Sequence, residues 1–330
     1  MSAEANTARR VRFFPSIVEE CLEDADFLWT RWERFLDSPD LGIEKVYFWV
    51  EQRLHGALDG LRMGELSLLE SALASDAAGA VSAAAYILAS TSEHAAFELL
   101  ARAFTSFEDA SLTAIRRGIE LAEDTRLLDK LGHVAASGSP ACRAAWLDAH
   151  SSCGIAPGAH LLSLLRAPEP EVRAAALRAC RYASGIDDKE LRRGLDASEP
   201  IVITAAIESG MARSLPEAWQ ACLSLSAGPD PDGHTRSLLR LLAMSGNPRA
   251  EQRLQAALDN DVLMRDAIFA LGASGRMSAA DSCVSALRHG RSPRAAADAF
   301  SNITGLDLSA AGLVAPAEAA EPPGFEDDDL

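Results

Sequence analysis

Lysine is nearly absent: the 330-residue chain has three, against 28 arginines and 48 acids, for a formal charge of −17. A protein that grips DNA or RNA neutralises phosphates with a basic surface. Here the largest basic cluster is the short stretch Arg9–Arg12, so the charge argues against a nucleic-acid partner. Long apolar runs are missing too, and none reaches the ~18 residues that a membrane span needs. Arg9-Arg10-Val11-Arg12 superficially resembles a twin-arginine export signal, but Pro15, Ser16, Glu19 and Glu20 stand where its apolar core belongs.

Chemistry-bearing motifs are equally scarce. The six cysteines (Cys21, Cys142, Cys153, Cys180, Cys222 and Cys283) never form Cys-x-x-Cys, and several sit at inward helix positions. They read as buried free thiols in a cytoplasmic protein. Cys142, His150, Cys153 and His160 include zinc-type ligands, but their spacing of seven, two and six residues matches no familiar finger, so no metal is expected. His94 and Glu98 lack the second histidine of a metalloprotease helix. Gly138-Ser139-Pro140 is a turn and helix start without the Gly-x-Ser-x-Gly setting of a nucleophile. No phosphate-cradling glycine loop occurs, and no catalytic residue or cofactor is expected.

What the chain does contain is a period. Taking starts at Ala80, Ser111, Cys142, Val172, Val202, His234, Leu263 and Ser292, the residues four, seven and eight places later are small or apolar with the one exception of His150: Ala84/Ile87/Leu88, Ile115/Gly118/Ile119, Trp146/Ala149/His150, and so on to Ala296/Ala299/Phe300. Successive starts are 31, 31, 30, 30, 32, 29 and 29 residues apart. Offsets of four, seven and eight share one face of a helix with 3.6 residues per turn. Each copy therefore buries the same stripe, and Ala, Ser and Gly let neighbouring backbones come close. Shorter partner helices fit between, at 96–103, 125–134, 158–165, 191–197, 219–225, 251–258 and 281–287, preceded by turn residues such as Asp187, Pro216 and Asn247-Pro248. Two antiparallel helices per unit of about thirty residues imply an all-α, right-handed α-solenoid of about eight short helical-pair repeats.

The segment Pro168-Glu169-Pro170-Glu171-Val172-Arg173-Ala174-Ala175-Ala176-Leu177, with echoes at Ser198–Val202 and Asn260–Ala267, resembles the acidic-Pro-x-Val-Arg-x-Ala-Ala start of HEAT-like units, including those of phycobilin-lyase-type repeats. The 30-residue unit is shorter than the ~33–34 residues of ankyrin and tetratricopeptide repeats. His55–Arg62 and Ala299–Leu308, followed by an acidic tail, are similar to an uncharacterised proteobacterial family of HEAT-like proteins often encoded near type VI secretion components. The resemblance implies association with a secretion or effector-loading system.

Outside the array, nine of the 19 aromatic residues precede position 51. Two longer helices, Ser16–Asp37 and 41–63, read as an aromatic cap over the end of the array, which has no neighbour to pack against. Trp29, Trp32 and Phe35 lie three apart, and the same residues read alternatively as a docking surface. A second pattern is a row of arginines in the first turn of the recurring helix: Arg143, Arg173, Arg236, Arg265 and Arg294. A cation there meets the positive end of the helix dipole, so something else must favour it. Either a carboxylate of an adjacent unit completes an inter-repeat ladder, or the arginines bind an acidic partner. From Ala315 the chain is Ala, Pro, Glu and Asp, a composition of disordered segments.

The expected organisation is a flexible segment over 1–12, a helical cap over 13–64, a HEAT-like solenoid over 65–305 and a C-terminal extension with acidic tail over 306–330. The expected function is a non-catalytic scaffold or adaptor for another protein. The alternative is a phycobilin-lyase-like or other small-molecule enzyme built on such repeats.

Overall fold

The computed structural model describes residues 15–37, 46–107, 109–122, 125–158, 161–227 and 234–313. The expected N-terminal segment over 1–12 and the acidic tail from Ala315 lie outside them, as do residues 41–45 of the second cap helix. Among the described residues the fold is all-helical, with no strand. No helix there is long and apolar enough to cross a membrane. The chain forms two compact units, one running to Cys222 and the other beginning at Leu223.

In the first unit, α1 (Pro15–Asp37) leads to a π-helical turn, Tyr47–Glu51, that continues into α2 (Gln52–Leu61) and then α3 (Leu66–Leu73). The recurring stripe falls on α4 (Ala78–Ala89), α6 (Asp109–Ala122), α8 (Pro140–Ser152), α10 (Pro170–Ala179) and α12 (Pro200–Ala212). Between them stand α5 (His94–Ser106), α7 (Thr125–Ala135), α9 (Leu161–Leu164) and α11 (Asp188–Leu195), with α13 (Pro216–Leu225) following. In the second unit the stripe falls on α14 (Thr235–Met244), α16 (Met264–Leu271) and α18 (Pro293–Thr304), alternating with α15 (Pro248–Leu258) and α17 (Met277–Arg288). Every recurring window is thus helical. Of the partner expected over 158–165, the described helix is the single turn of α9, residues 159–160 lying outside the described residues.

Local chemistry explains the boundaries. Proline opens α8, α10, α12, α15 and α18, where its missing N–H would have had no intrahelical partner. Ser139 Oγ accepts from Cys142 N at 3.2 Å, Asp187 Oδ1 from Lys189 N at 2.9 Å and Asn247 Oδ1 from Arg249 N at 3.0 Å, capping α8, α11 and α15.

Packing follows the period. In the first unit α4 lies against α1 and α6, α6 against α8, α8 against α10 and α10 against α12, while α5 touches both α3 and α7. In the second unit α14 packs on α16 and α16 on α18, with α15 and α17 alongside. The stripe is buried at nearly every position: Ala84, Ile115, Ala176, Ala206, Ala267 and Ala296 are fully enclosed. Trp146, Leu241 and Phe300 are half-buried instead. Trp146 is too large for the space that alanine fills in other copies. Its indole lies over Gly132 of α7 and donates to the Leu128 carbonyl at 2.9 Å.

The core is also more divided than a single continuous stripe suggests. In the first unit one hydrophobic cluster runs from Val18 to Ala149 and another from Ala144 to Ala218, with Trp146 packed against both. Cys142, Cys180, Cys222 and Cys283 are enclosed, Cys21 and Cys153 partly so, and all six are free thiols. Burial pushes Cys142 and Cys283 up to about 11 and Cys180 and Cys222 up to about 12.

Gly118 shows what the small residues accomplish. A Cβ placed there would stand 2.4 Å from the Ser82 carbonyl oxygen and 2.7 Å from Tyr86 N, both backbone atoms of α4. Ser82 Oγ in turn donates to the Ala114 carbonyl of α6 at 3.0 Å. Helix interiors usually gain from Gly→Ala by about 1 kcal/mol, but overpacking costs about 1–3 kcal/mol. Gly118→Ala should therefore lower stability in urea by about 1–2 kcal/mol. Gly56, exposed in α2 with nothing within 4 Å of its added Cβ, should show the opposite sign, Gly56→Ala raising stability by about 0.5–1 kcal/mol.

Candidate functional site

The acidic-Pro motif becomes intelligible when the arginines are placed. Arg143 reaches 26 residues forward to Glu169 at 3.0 Å, and Arg173 reaches 26 forward to Glu199 at 2.7 Å. Glu169 and Glu199 are the residues before the opening prolines of α10 and α12, so each acid receives the arginine of the unit before it. Arg173 also donates to the carbonyls of Ala167 and Pro168 at 3.0 and 2.8 Å, bracing the turn it leaves. Its guanidinium, hydrogen-bonded to Glu199, holds that carboxyl below the ordinary range. In the second unit Arg236 bonds Asp266 at 2.8 Å. Arg265 and Arg294 are exposed. Arg143, Arg173 and Arg236 thus stand in the ladder arrangement.

A second row, not anticipated from the sequence, lies six residues after each start. Along the first unit it reads Tyr86, Arg117, Asp148, Arg178 and Glu208, and along the second Arg240, Phe269 and Asp298, so that charge alternates in sign through most of its length. Arg178 grips Asp148 through Nε and Nη2 at 2.7 and 2.9 Å, and Arg116 bonds the same carboxylate at 2.9 Å from the other side. Arg116 and Arg117 share Glu120. Arg117 then bonds Glu33 of α1 at 3.1 Å and lies 5.4 Å over the Trp32 ring. The row therefore links α10, α8 and α6 to α1. Arg181 bonds Glu208 at 3.4 Å, and Arg240 stacks 4.6 Å over Phe269. The signal was present in the sequence at the same 30-residue period as the apolar stripe, one helix position removed from it.

The aromatic residues divide differently from their spacing. Trp29 is only 2% exposed, meets Trp32 edge-on at 6.1 Å and donates to Glu33 at 3.1 Å. Trp32 and Phe35 are half-buried against the core, with Trp32 donating to Glu51 at 3.3 Å and Arg31 lying 4.9 Å over Phe35. The aromatic surface lies instead in the π-helical turn. Tyr47, Phe48 and Trp49 are 43, 57 and 47% exposed, and Tyr47 meets Phe48 edge-on at 5.3 Å. Val46 and Val50, both buried, anchor the turn from the same side and leave the three residues between them facing outward. The sequence carried a hint: five consecutive apolar residues cannot share one helical face.

Among the described residues no three His, Cys, Asp or Glu side chains come together as a metal-holding group; His160 lies outside them. Two clefts among the described residues differ in size and lining. A smaller one of about 200 Å³ in the first unit lies between the α4–α5 turn and α7, bordered by His94, Phe97, Arg126 and Lys130. A larger one of about 560 Å³ lies in the second unit, between the end of α15, the start of α16 and α17. No protein-family model matches the chain, and no curated protein matches it.

One buried group stands apart from these surfaces. His150, on the recurring stripe of α8, is 2% exposed and meets Trp146 edge-on at 4.7 Å. Among the described residues neither ring nitrogen makes a well-formed hydrogen bond. Burial lowers its pKa below the ordinary imidazole value, opposed by the smaller effects of Asp129 and the Leu128 carbonyl. The unfolded chain then takes up a proton first as pH falls. His150 thus adds no pH-dependent cost above about pH 6.5 and lowers stability further as pH drops from there toward its folded pKa. His150→Leu should remove this component: its melting temperature relative to the parent should rise steadily from pH 7.5 to pH 5.

Arg178 should dominate the second row. Arg178→Gln leaves a partly enclosed Asp148 with one of its two cations and should cost about 1–3 kcal/mol in chemical denaturation. Arg294→Gln, at an exposed site, should change stability by less than about 0.5 kcal/mol.

Proposed function

We propose that this chain is a non-catalytic protein-binding scaffold. In this reading the alternating helices are a right-handed α-solenoid of about eight short HEAT-like pairs, and the N-terminal helices form both its cap and its docking point. The observation that carries the reading is the exposed run Tyr47-Phe48-Trp49, held outward by two buried valines. Aromatic side chains supply large, rigid contact area and are enriched at interface hot spots. A π-helical turn, rare in ordinary helices and frequent at functional positions, displays them. The two arginine rows give the display a firm base, because their ion pairs tie successive helices to one another and α1 to α6.

The resemblance to HEAT-like proteins encoded near type VI secretion components adds a context. The partner would belong to a secretion or effector-loading assembly that meets this chain in the cytoplasm. Partners bind through the aromatic turn, while Arg143, Arg173 and Arg236 act chiefly by holding the units together.

A Phe48→Ala/Trp49→Ala double variant tests this. It should melt within a degree or two of the parent, since both side chains are exposed, yet lose the partner that the parent retains in affinity purification from its native cell followed by mass spectrometry. Retention of the same partner by the variant would overturn the docking role. Arg173→Gln should do the reverse, lowering the melting temperature while keeping the partner.

A further inference from the structure

Among the described residues His150 is the one buried histidine. Its ring faces α7, whose Leu128 carbonyl and Asp129 act on it. It meets Trp146 edge-on at 4.7 Å, and the Trp146 indole in turn lies over Gly132 of α7 and donates to the Leu128 carbonyl at 2.9 Å. Leu127, Leu128, Leu131 and Ala135 of α7 are buried in the same region. The attachment of α7 to α8 is thus apolar apart from that indole N–H, and it encloses an imidazole that makes no well-formed hydrogen bond of its own.

Charged groups on the neighbouring helices are engaged elsewhere. α8 packs on α6, α7 and α10. Arg116 of α6 and Arg178 of α10 bond Asp148, and Glu120 of α6 pairs with Arg116. Asp148 stands two residues from His150 and therefore on the opposite side of α8. On α8 itself Cys142 stays a thiol, pushed up to about 11 by burial, and Cys153 turns its sulfur to the Glu120 carbonyl at 3.8 Å. From α7, Arg126, Asp129, Lys130 and His133 are exposed, and Asp129 is the one that favours a charged ring. A proton on His150 thus meets one exposed carboxylate and a carbonyl already used by Trp146, and burial outweighs both.

We infer that His150 is an acid-operated release for α7: once protonated, it frees Thr125–Ala135 from α8 while the helices stacked on either side of α8 keep their packing. An imidazolium has two N–H donors and needs acceptors or water for both. The side of the ring that is closed only by apolar groups and one indole bond is the side of α7. α8 stays tied to α6 and α10 through Asp148, whose partners are arginines and remain charged throughout. Above about pH 6.5 the ring is neutral whether α7 is attached or free, and below that the open form takes up the proton first. Opening uncovers Leu127, Leu128, Leu131 and Trp146, an apolar strip presented only in acid. The release lies away from the aromatic turn and is independent of the scaffold reading.

Amide hydrogen exchange of the full chain, read by mass spectrometry at pH 7.5 and pH 5.5 and corrected for the intrinsic pH dependence of exchange, decides the matter. Peptides over 125–135 should lose protection by about threefold to tenfold at the lower pH, tenfold being the limit for a ring that titrates near 6.5 when open. Peptides of α10, α12 and the second unit should change by less than about twofold. In His150→Leu the peptides over 125–135 should be protected equally at both pH values. His150→Met, whose unbranched side chain adapts to irregular space, gives the same comparison if leucine does not fit. Unchanged protection over 125–135 in the parent, an equal loss throughout the first unit, or the same acid response in a folded His150 variant would overturn the assignment.

Discussion

Close approach of helix backbones across alanine and glycine is the constraint on which the rest of this structure depends. Where α6 crosses α4, Gly118 leaves no room for even a methyl group, and the polar contact between Ser82 and the Ala114 carbonyl bridges the same seam. Small residues contribute little buried area each, so an interface made of them gains from shape: two flat faces exclude water along their whole length and retain dispersion contacts that a gap would forfeit. The recurring stripe is therefore less a store of large hydrophobic side chains than a specification of how near one helix lies to the next.

That nearness has an electrostatic consequence. Helices this close bring residues about thirty apart in sequence within reach of one another, which is why Arg143, Arg173 and Arg178 each find a carboxylate 26 to 30 residues away. Arginine suits these positions because its planar fork grips a carboxylate and a turn carbonyl together, as Arg173 does. A lysine would offer a point charge without that geometry, and the chain has only three. The two rows differ in reach. The Arg143 and Arg173 row stitches each unit to the turn that opens the next, whereas the row through Asp148 and Arg178 passes by way of Arg117 to Glu33 and Trp32. It thereby fastens the N-terminal helix to the units that come after it.

Function on such a framework belongs to what the framework leaves over. Once Trp29 is enclosed and the ladder arginines have partners, the outward aromatics of the π-helical turn stand out among the described residues as a feature that stability alone does not explain. They suit a protein surface.

The sequence by itself determined the period, the helical character of every recurring window, and the enclosure of Ala84, Ile115, Ala176 and most of their counterparts, Trp146 being the half-buried exception at that offset. These follow from local rules: a 3.6-residue turn fixes which offsets share a face, and proline, serine and asparagine mark where helices start. It also showed that the first-turn arginines needed a partner, though not which one. Tertiary structure alone decided the rest. The spacing of Trp29, Trp32 and Phe35 put them on one helix without saying that other helices would cover that face. The π-helical register that turns Tyr47, Phe48 and Trp49 outward depends on Val46 and Val50 finding a core to enter. The cleft beside α16 exists only because the ends of three helices leave a space between them. Periodicity is written in neighbouring residues, whereas exposure is set by whatever packs on them from elsewhere in the chain.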